Sequence, residues 1–361
     1  MMWITHATYF VYGPSIVGYR RGSAMRQATI VCIAVSSLWL GSAAHAQTPG
    51  TLTVPSDEAP EPAPEPAAPN SRRPLVPAKV LFGAARTAAP LEARAIGFYS
   101  RGCLAGAKPV AVDGPAWQVM RLSRNRNWGH PALTAWVERF AQDAKSLEGW
   151  SGLLIGDMSQ PRGGPMLTGH ASHQIGLDAD IWLTPMPDRQ LSRQEREEMS
   201  ATSMLPGGNE KSSVVDPKIW TPSHLKMIRR AANYPQVERI LVHPAIKKAL
   251  CDGAATLSPD RNWLTKVRPY WGHHYHMHVR MACPVDSPTC RAQAVPPGDD
   301  GCGQELVDWF KLINPPPRPP APPLPPGTVP VKPKPRPQIT LDTLPGECRV
   351  VLETGNGQKP Q

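Results

Sequence analysis

Two short segments hold most of the side chains in this chain that could do chemistry. Residues 169–183 read GHASHQIGLDADIWL, and residues 273–280 read HHYHMHVR. Together they contain six of the eleven histidines, and the first also contains Asp180. A single histidine is more often a satisfied core or surface residue than a ligand, but six of them beside a carboxylate have the composition of a metal site. The two segments therefore predict a metal-binding centre.

The second segment has the alternation of a β-strand over residues 275–283, where side chains two apart share a face. Its polar face carries His276, His278 and Arg280. Its apolar face carries Tyr275, Met277 and Val279. This pattern predicts a strand that is packed on one side and forms the wall of a site on the other.

In the first segment, six residues separate His173 from Asp180, which is enough for the chain to turn near Gly176 and return as a strand over 179–183. Both side chains could then reach one metal ion. Hydrolytic zinc sites take three protein ligands and leave one position for water, and we assign His173, Asp180 and His278 as those ligands. Zinc held in this way brings the pKa of a bound water towards neutrality.

Four further histidines lie in the two segments. A general base must reach the attacking water and titrate near the working pH, as an unperturbed imidazole does. We assign this role to His276, which stands one strand repeat from His278 on the same face. His273 could orient the substrate or stabilise an oxyanion, and His170 could be a further ligand or a partner of one. No role is assigned to His274.

These motifs resemble a known group of enzymes. The HxxxxxxD spacing of His173 and Asp180 and the HxH of His276 and His278 are similar to those of the lysostaphin and D-Ala-D-Ala metallopeptidase group. The longer GHASHQIGLDADIWL and WLTKVRPYWGHHYHMHVRMACP resemble the penicillin-insensitive murein endopeptidase family. The resemblance runs from YSRGCLAGA at residue 99, through MRLSRNRNWGHP, to DDGCGQELVDWF, which ends at residue 310.

The resemblance implies a zinc endopeptidase that cuts the D-alanyl to meso-diaminopimelyl cross-bridge of peptidoglycan without an active-site serine, and hence without sensitivity to β-lactams. It carries the metal ligands onto His173, Asp180 and His278, with His170 at a metal-associated position. It carries the other active-site histidines onto His273 and His276. Some members carry an Asp and a His after the first motif that contribute to an additional metal site. Here PGGNEKSSVV at 206–215 contains no histidine, so we do not expect a second metal to bind as it does in those relatives.

A guanidinium suits the diaminopimelate carboxylate, and Arg280 and Arg124 are our candidates for binding it. Arg121, Arg126 and Arg162 remain candidates, and a structural or surface salt bridge is the alternative for each.

Two other functions stay open. A zinc D,D-carboxypeptidase would use the same ligands to trim terminal D-alanine, although the motif around 271–284 favours the endopeptidase. A non-catalytic peptidoglycan-binding protein would need the fold without the metal ligands.

The N-terminal residues indicate export. Residues 25–46 read MRQATIVCIAVSSLWLGSAAHA, which is a basic start, an apolar run and a small-x-small cleavage pattern. We therefore predict a signal peptide within 1–46, a true start at Met25 and a periplasmic location in a Gram-negative bacterium. The alternative, a membrane anchor, is disfavoured because the apolar run over 30–40 is shorter than the roughly 20 residues that span a bilayer.

Removal of 1–46 leaves six cysteines, an even number that suggests three disulfides in a secreted chain. Sequence alone allows about fifteen pairings. Cys283 and Cys290 are close enough to close on each other. The family resemblance favours Cys251 with Cys302 and Cys103 with Cys348.

The chain has 39 basic and 29 acidic residues, a formal charge of +10. Cleavage would remove three arginines and no acid, which leaves +7. We find no aromatic and basic interleaving or module typical of nucleic-acid binding. A mildly basic surface suits anionic peptidoglycan as the partner.

Proline-dense stretches at 55–69 and 315–337 predict extended tethers. We therefore expect a linker over 47–89, one zinc endopeptidase domain over 90–314 and a proline-rich tail over 315–361, pinned by Cys348.

Helical periodicity covers 131–147, and Thr221 followed by Pro222 begins a helix that ends near 233. Further predictions are strands at 152–158 and 237–243 and a short helix at 245–251. The irregular mixture predicts an α+β fold in which a central antiparallel sheet carries the zinc site, flanked by helices and long loops and stapled by disulfides.

Overall fold

The computed structural model describes residues 76–296, 298–317 and 337–355. The predicted signal peptide, most of the linker and most of the second proline-dense stretch lie outside these residues. Among the described residues, no helix has both the length and the apolar character needed to cross a bilayer.

Helices and strands alternate irregularly along this part of the chain. The described residues form the α-helices α1 Ala78–Ala84, α2 Pro131–Glu148, α3 Arg193–Glu198, α4 Pro222–Ala232, α5 Pro244–Gly253, α6 Gln304–Ile313 and α7 Glu347–Glu353. They form the strands β1 Arg94–Phe98, β2 Arg101–Ala105, β3 Lys108–Pro109, β4 Asp113–Gly114, β5 Trp117–Val119, β6 Trp128–Gly129, β7 Leu153–Ile155, β8 Asp178–Trp182, β9 Val237–Val242, β10 Val267–Pro269 and β11 His276–Met281.

The main sheet has seven strands in the order β10-β9-β11-β8-β7-β5-β4 among the described residues. Its centre is antiparallel, since β11 pairs antiparallel with both β9 and β8, and β8 with β7. The pairs β10/β9 and β5/β7 are parallel. The prediction of an antiparallel sheet was therefore wrong for these pairs. In each case a helix, α5 or α2, lies in the connection and returns the chain in the same direction.

The register of the two central strands brings the predicted site residues together. His278 lies opposite Asp180, and Arg280 lies opposite Asp178. On the other face, Met277, Val279 and Ile181 are buried in the main hydrophobic core. The expected division of this strand into a polar and an apolar face is confirmed for β11. Tyr275 differs, because it precedes the strand and is half-exposed.

The helices predicted from periodicity support the sheet. Helix α2 begins at Pro131, as expected, and buries Leu133, Trp136, Val137 and Phe140 in the core. Helix α4 follows Thr221, whose backbone N–H donates to the Nδ1 of His224. Helix α5 extends from Pro244 to Gly253, slightly beyond the predicted 245–251.

The folded part of the chain extends beyond the expected domain of 90–314 on both sides. Helix α1 precedes it and α7 follows it, and the two share a hydrophobic cluster with β1 and β2. Phe82 of α1 and Val351 of α7 are almost fully buried there. The guanidinium of Arg162 fastens this layer by donating to the carbonyls of Thr87, Val351 and Leu352. The folded region extends beyond 90–314 because α1 and α7 bury their apolar side chains against β1 and β2.

Within the part of the chain that the structure describes, three disulfides join six cysteines. They are Cys103–Cys348, Cys251–Cys302 and Cys283–Cys290. The first two are the pairs that the resemblance favoured, and Cys283–Cys290 is the pair expected from its short loop. Cys103–Cys348 joins residues 245 positions apart and attaches α7 to β2.

Candidate metal centre and active site

His173 lies in the loop before β8 in a left-handed backbone conformation, with φ of 68°. Such a conformation is uncommon for a residue with a side chain and costs energy that its surroundings must offset. The carboxylate of Asp178 accepts a hydrogen bond from the His173 backbone N–H at 2.9 Å. The ring of His173 is fully buried, and neither ring nitrogen has a hydrogen-bond partner among the described residues. Buried imidazole nitrogens that lack a hydrogen-bond partner in the protein are typical of a metal ligand.

The Asp180 carboxylate is the point on which four imidazoles converge. Its Oδ1 lies 3.0 Å from the Nδ1 of His278, 3.4 Å from the Nε2 of His173 and 3.6 Å from the Nε2 of His276. Its Oδ2 lies 3.3 Å from the Nδ1 of His170. Burial raises the pKa of Asp180, but the neighbouring histidines outweigh it and hold the pKa well below its usual range. Asp180 is therefore ionised and able to bind a cation.

One ligand atom from each of His170, His173 and Asp180 lies within 4.8 Å of the other two, so these residues could hold a metal ion. This group shares His173 and Asp180 with the set expected from the sequence and contains His170, which was expected only as a possible ligand. His278 stands beside it through its contact with Asp180. Imidazole nitrogens and one carboxylate oxygen form a donor set that suits zinc.

Asp178 was not singled out from the sequence, yet it supports the site from beneath. It is fully buried, and its Oδ1 lies 3.2 Å from the Nε2 of His278. A ligating histidine commonly has a carboxylate beside its second nitrogen, which fixes the orientation of the ring. Burial lowers the pKa of His278, but Asp178 and Asp180 outweigh it and raise the pKa to about 9.

Arg280 does not line the cleft. Its Nε donates to the Oδ1 of Asp178 at 2.8 Å, its Nη2 to the Oδ2 at 3.1 Å and its Nη1 to Gln293 at 2.6 Å. The guanidinium is buried and lies 4.1 Å from the ring centroid of Tyr99. The expected role in carboxylate binding is therefore replaced by an internal ion pair, because cross-strand register places Arg280 directly opposite Asp178.

His276 and His273 border the centre without belonging to the three-residue metal group. Their ring centroids lie 4.9 Å apart. The Nδ1 of His273 lies 2.7 Å from the Trp271 carbonyl, which can only accept, so Nδ1 carries the proton and Nε2 is left as an acceptor. Burial lowers the pKa of His276 to about 4 and, with the neighbouring histidines, that of His273 to about 3. Both rings are thus neutral near pH 7 and able to accept a proton.

A third buried carboxylate, Asp157, was, like Asp178, missed by the sequence analysis. Its Oδ2 lies 3.0 Å from the Nε2 of His170 and accepts from the Nη1 of Arg124 at 3.0 Å and of Arg126 at 2.8 Å. Burial raises the pKa of Asp157, but His170 and the two arginines outweigh it and hold the pKa well below its usual range. Asp157 follows β7, so an acid at the end of a buried strand was the available signal.

The site opens into a cleft. A cavity of about 340 Å³ is lined by Arg124, Asp157, His170, Asp180, Tyr275 and His276. The Arg124 side chain is 47% exposed and faces this cavity, whereas Arg126 is nearly buried. Arg121 lines the cavity but donates to the carbonyls of Arg196, Glu197 and Met199. Of Arg121, Arg124 and Arg126, Arg124 is therefore the one whose side chain is most available to a ligand in this cavity.

A second cavity, of about 310 Å³, shares only His170 with the first. It lies between Lys79 of α1, the loop that contains Met166 and the segment that contains Ile339. His170 consequently stands between two cavities.

His274, which received no role, faces away from the metal group. Its Nδ1 lies 2.8 Å from the hydroxyl of Ser203, and its Nε2 lies 3.4 Å from the carboxylate of Glu210. Glu210 belongs to the segment in which relatives were expected to supply an additional metal ligand. Here that segment instead packs against His274 and against His243, whose ring contacts the Glu210 carbonyl.

Comparison with known proteins agrees with the site. The sequence profile of the penicillin-insensitive murein endopeptidase family matches residues 95–353. A penicillin-insensitive murein endopeptidase of Haemophilus influenzae is 42% identical over 244 residues, which cover 67% of this chain and 80% of that protein. The enzyme of that name from Yersinia enterocolitica is 43% identical over 261 residues, or 72% of this chain and 86% of the relative. That from Escherichia coli O1:K1 is 40% identical over 264 residues, or 73% and 88%.

Proposed function

The chain belongs to the penicillin-insensitive murein endopeptidase family, and from this premise we propose that it is a zinc endopeptidase that hydrolyses the D-alanyl to meso-diaminopimelyl cross-bridge of peptidoglycan. The observation that carries the proposal is the convergence of four imidazoles on the ionised Asp180 at the base of a cleft.

His173, Asp180 and His278 would hold the zinc ion, with His170 as a further ligand. The unpaired nitrogens of His173 and the carboxylate beside the second nitrogen of His278 support this assignment. Zinc, when bound, supplies a Lewis acid that polarises the scissile carbonyl and lowers the pKa of water.

His276 accepts the proton of the attacking water and returns it to the leaving amine. Its Nδ1 is buried without a hydrogen-bond partner among the described residues, and its Nε2 faces Asp180. The ring is neutral near pH 7 and has a free acceptor nitrogen, but burial lowers its pKa to about 4, which makes it a weaker base than the unperturbed imidazole expected from the sequence. The assignment therefore rests on its position beside Asp180. His273 orients the substrate or stabilises the oxyanion, and its position is fixed by the hydrogen bond to the Trp271 carbonyl.

Arg124 binds the free carboxylate of the diaminopimelyl residue. Its Nη1 is held by Asp157, and the rest of the guanidinium faces the cavity beside His276. An endopeptidase must accommodate chain on both sides of the scissile bond, whereas a carboxypeptidase needs room for one terminal residue on its leaving-group side. The two cavities, which lie on either side of His170, favour the endopeptidase.

The enzyme works in the periplasm after removal of the signal peptide. Three disulfides support an oxidising compartment, and the net positive charge expected for the mature chain suits an anionic polymer.

The decisive experiment incubates the purified chain with cross-linked muropeptide dimers and, separately, with uncross-linked pentapeptide stems. We expect dimers to become monomers, a chelator to stop the reaction, zinc to restore it and a β-lactam to leave it unchanged. The matched control is His274→Ala, which removes a nearby histidine from outside the proposed ligand set.

Release of D-alanine from pentapeptides without cleavage of dimers would instead establish a carboxypeptidase. Cleavage of dimers that survives exhaustive chelation would remove the metal from the mechanism.

A further inference from the structure

A chain of aromatic side chains borders the site on the side of His273. We call Tyr270, Trp271 and Trp309 the aromatic rim. The rings of Tyr270 and Trp309 lie 5.7 Å apart, and the ring of Tyr270 meets that of His273 at 5.4 Å with an interplanar angle of 83°. Trp271 follows Tyr270 in the chain and contacts the same histidine through its backbone carbonyl, while its ring makes no ring contact with Tyr270 or Trp309. The rim is thus continuous with the proposed active site.

Two members of the rim are unusually open to solvent. Tyr270 is 49% exposed and Trp271 is 48% exposed. Single exposed apolar side chains are ordinary, but two consecutive, exposed, large aromatic residues beside the proposed active site are typical of a binding surface. The Tyr270 hydroxyl and the Trp271 indole N–H have no hydrogen-bond partner among the described residues, so both polar groups are available to a ligand.

The backbone beneath the rim is fixed. The N–H of Tyr270 donates to the carbonyl of Val242 at 2.8 Å, which extends the pairing of β10 with β9. Trp309 is carried by α6, close to the disulfide of Cys302. Tyr270 and Trp309 are therefore presented from ordered backbone, and Trp271 follows in the bend after β10, so little conformational entropy is lost when a ligand stacks on the first two.

We propose that the aromatic rim binds a sugar ring of the glycan strand to which the substrate peptide is attached. This inference rests on the proposed function, because it assumes that the substrate is peptidoglycan. The C–H face of an N-acetylhexosamine is apolar and packs on an indole or phenol ring, while its hydroxyl and acetamido groups take hydrogen bonds at the ring edges. A neutral sugar also needs no charged partner, and the rim itself carries no formal charge.

The distances agree with this occupant. The centroid separations of Tyr270 from His273 and of His273 from His278, 5.4 Å and 5.8 Å, place the Tyr270 ring within about 11 Å of the His278 ring. A stem of about four residues, fully extended, spans about 13–14 Å between the glycan and the scissile bond. A stem whose cross-bridge is at the metal centre therefore reaches the rim with its sugar.

The test compares two substrates of the zinc-loaded enzyme that differ only in the sugar. One is a cross-linked muropeptide dimer that carries its disaccharides, and the other is the same cross-linked peptide after enzymatic removal of the glycan. For Trp271→Ala we expect KM on the glycan-bearing dimer to rise about 3- to 10-fold, since an aromatic contact of this kind contributes about 1 kcal/mol. The KM on the glycan-free peptide stays the same, and kcat changes little on either substrate.

The substitution keeps the Trp271 carbonyl that holds His273, so an effect on catalysis through that histidine is not expected. Trp309→Ala, which lies on a different element, should show the same selective rise in KM. Leu147→Ala provides the control, because Leu147 is 60% exposed but lies at the end of α2, outside the rim.

Equal losses on both substrates would overturn the proposal and assign the rim to the peptide, as would unchanged KM on both. Binding of N-acetylglucosamine oligomers to the full chain, measured by calorimetry without zinc, tests the rim independently of cleavage. Saturable binding that Trp271→Ala abolishes supports a sugar site even if the proposed peptidase activity fails. Absence of oligomer binding, together with capture of apolar peptides by the rim, would make it a protein-docking surface instead.

Discussion

The Oδ2 of Asp157 lies 3.0 Å from the Nε2 of His170. The other ring nitrogen of His170 faces Asp180, so this imidazole bridges two buried carboxylates. Asp157 also holds Arg124 and Arg126, and it therefore connects the metal group to the proposed carboxylate-binding arginine.

We predict that Asp157→Asn weakens zinc binding by about 10- to 100-fold, as is usual when the partner of a ligating histidine is lost. In Asp157, the Oδ2 atom is shared by His170, Arg124 and Arg126. The amide of asparagine is uncharged and has only one acceptor oxygen, so it binds these three groups less strongly. Zinc affinity would be measured by competition with a chelator, and folding by thermal unfolding. An Asp157→Asn protein with unaltered zinc affinity and unaltered KM would show that Asp157 serves the structure alone.

The ligand assignment predicts that His173→Ala, Asp180→Ala and His278→Ala each lose zinc and activity, because three protein ligands are the minimum at such a site. Elemental analysis of the purified proteins gives the zinc content. The matched control, His274→Ala, should retain its zinc. Stoichiometric zinc in any of the three ligand variants would remove that residue from the set, and the same measurement on His170→Ala decides whether it is a ligand.

The general-base assignment separates His276 from the ligands. His276→Ala should keep its zinc and lose about 10²- to 10⁴-fold in kcat, which is the usual contribution of a positioned proton acceptor. Zinc content and steady-state turnover on muropeptide dimers provide the check. Loss of zinc along with activity would make His276 a ligand, and near-normal turnover would move the base to His273 or His170.

The disulfides should differ in their contribution to stability. Removal of a crosslink restores chain entropy to the unfolded state, and chain-entropy arithmetic gives about 5 kcal/mol for the Cys103–Cys348 loop and about 2 kcal/mol for Cys283–Cys290. We therefore predict that the Cys103→Ala, Cys348→Ala double variant unfolds at much lower urea than the Cys283→Ala, Cys290→Ala variant. Equal midpoints for the two would contradict the argument from loop length.

Lys247 predicts a dependence of stability on pH. It is fully buried, with its ammonium donating to the carbonyls of Leu264 and Asp300, and burial lowers its pKa from 10.5 to about 7. Between these values the unfolded chain binds a proton that the folded chain does not, so this residue makes the free energy of unfolding rise with pH. From pH 7 to 9 its contribution is about 1 kcal/mol per pH unit.

The comparison is between the native chain and Lys247→Met, with urea unfolding at several pH values. Other titrating groups are common to both proteins, so the difference between the two slopes isolates Lys247. Parallel slopes would mean that Lys247 remains charged in the folded protein.

Local periodicity determined much of this protein. The alternation along 275–283 was sufficient to predict which face of β11 carries His276 and His278, because successive side chains of a strand must point to opposite sides. The spacing of Leu133, Trp136, Val137 and Phe140 was sufficient for α2. These patterns depend on residues a few positions apart, where backbone geometry alone fixes the relationship.

Contacts between distant parts of the chain were decided by the tertiary structure. The ion pair of Arg280 with Asp178 spans 102 positions, and its formation depends on the cross-strand register. The direction of β10 beside β9 depends on how α5 packs, and the approach of Asp157 to His170 depends on the neighbouring positions of β7 and β8. The residue types along the chain show only that carboxylates and arginines are present. Which of them form ion pairs depends on the tertiary structure, because burying a charge is costly unless the fold places an opposite charge beside it.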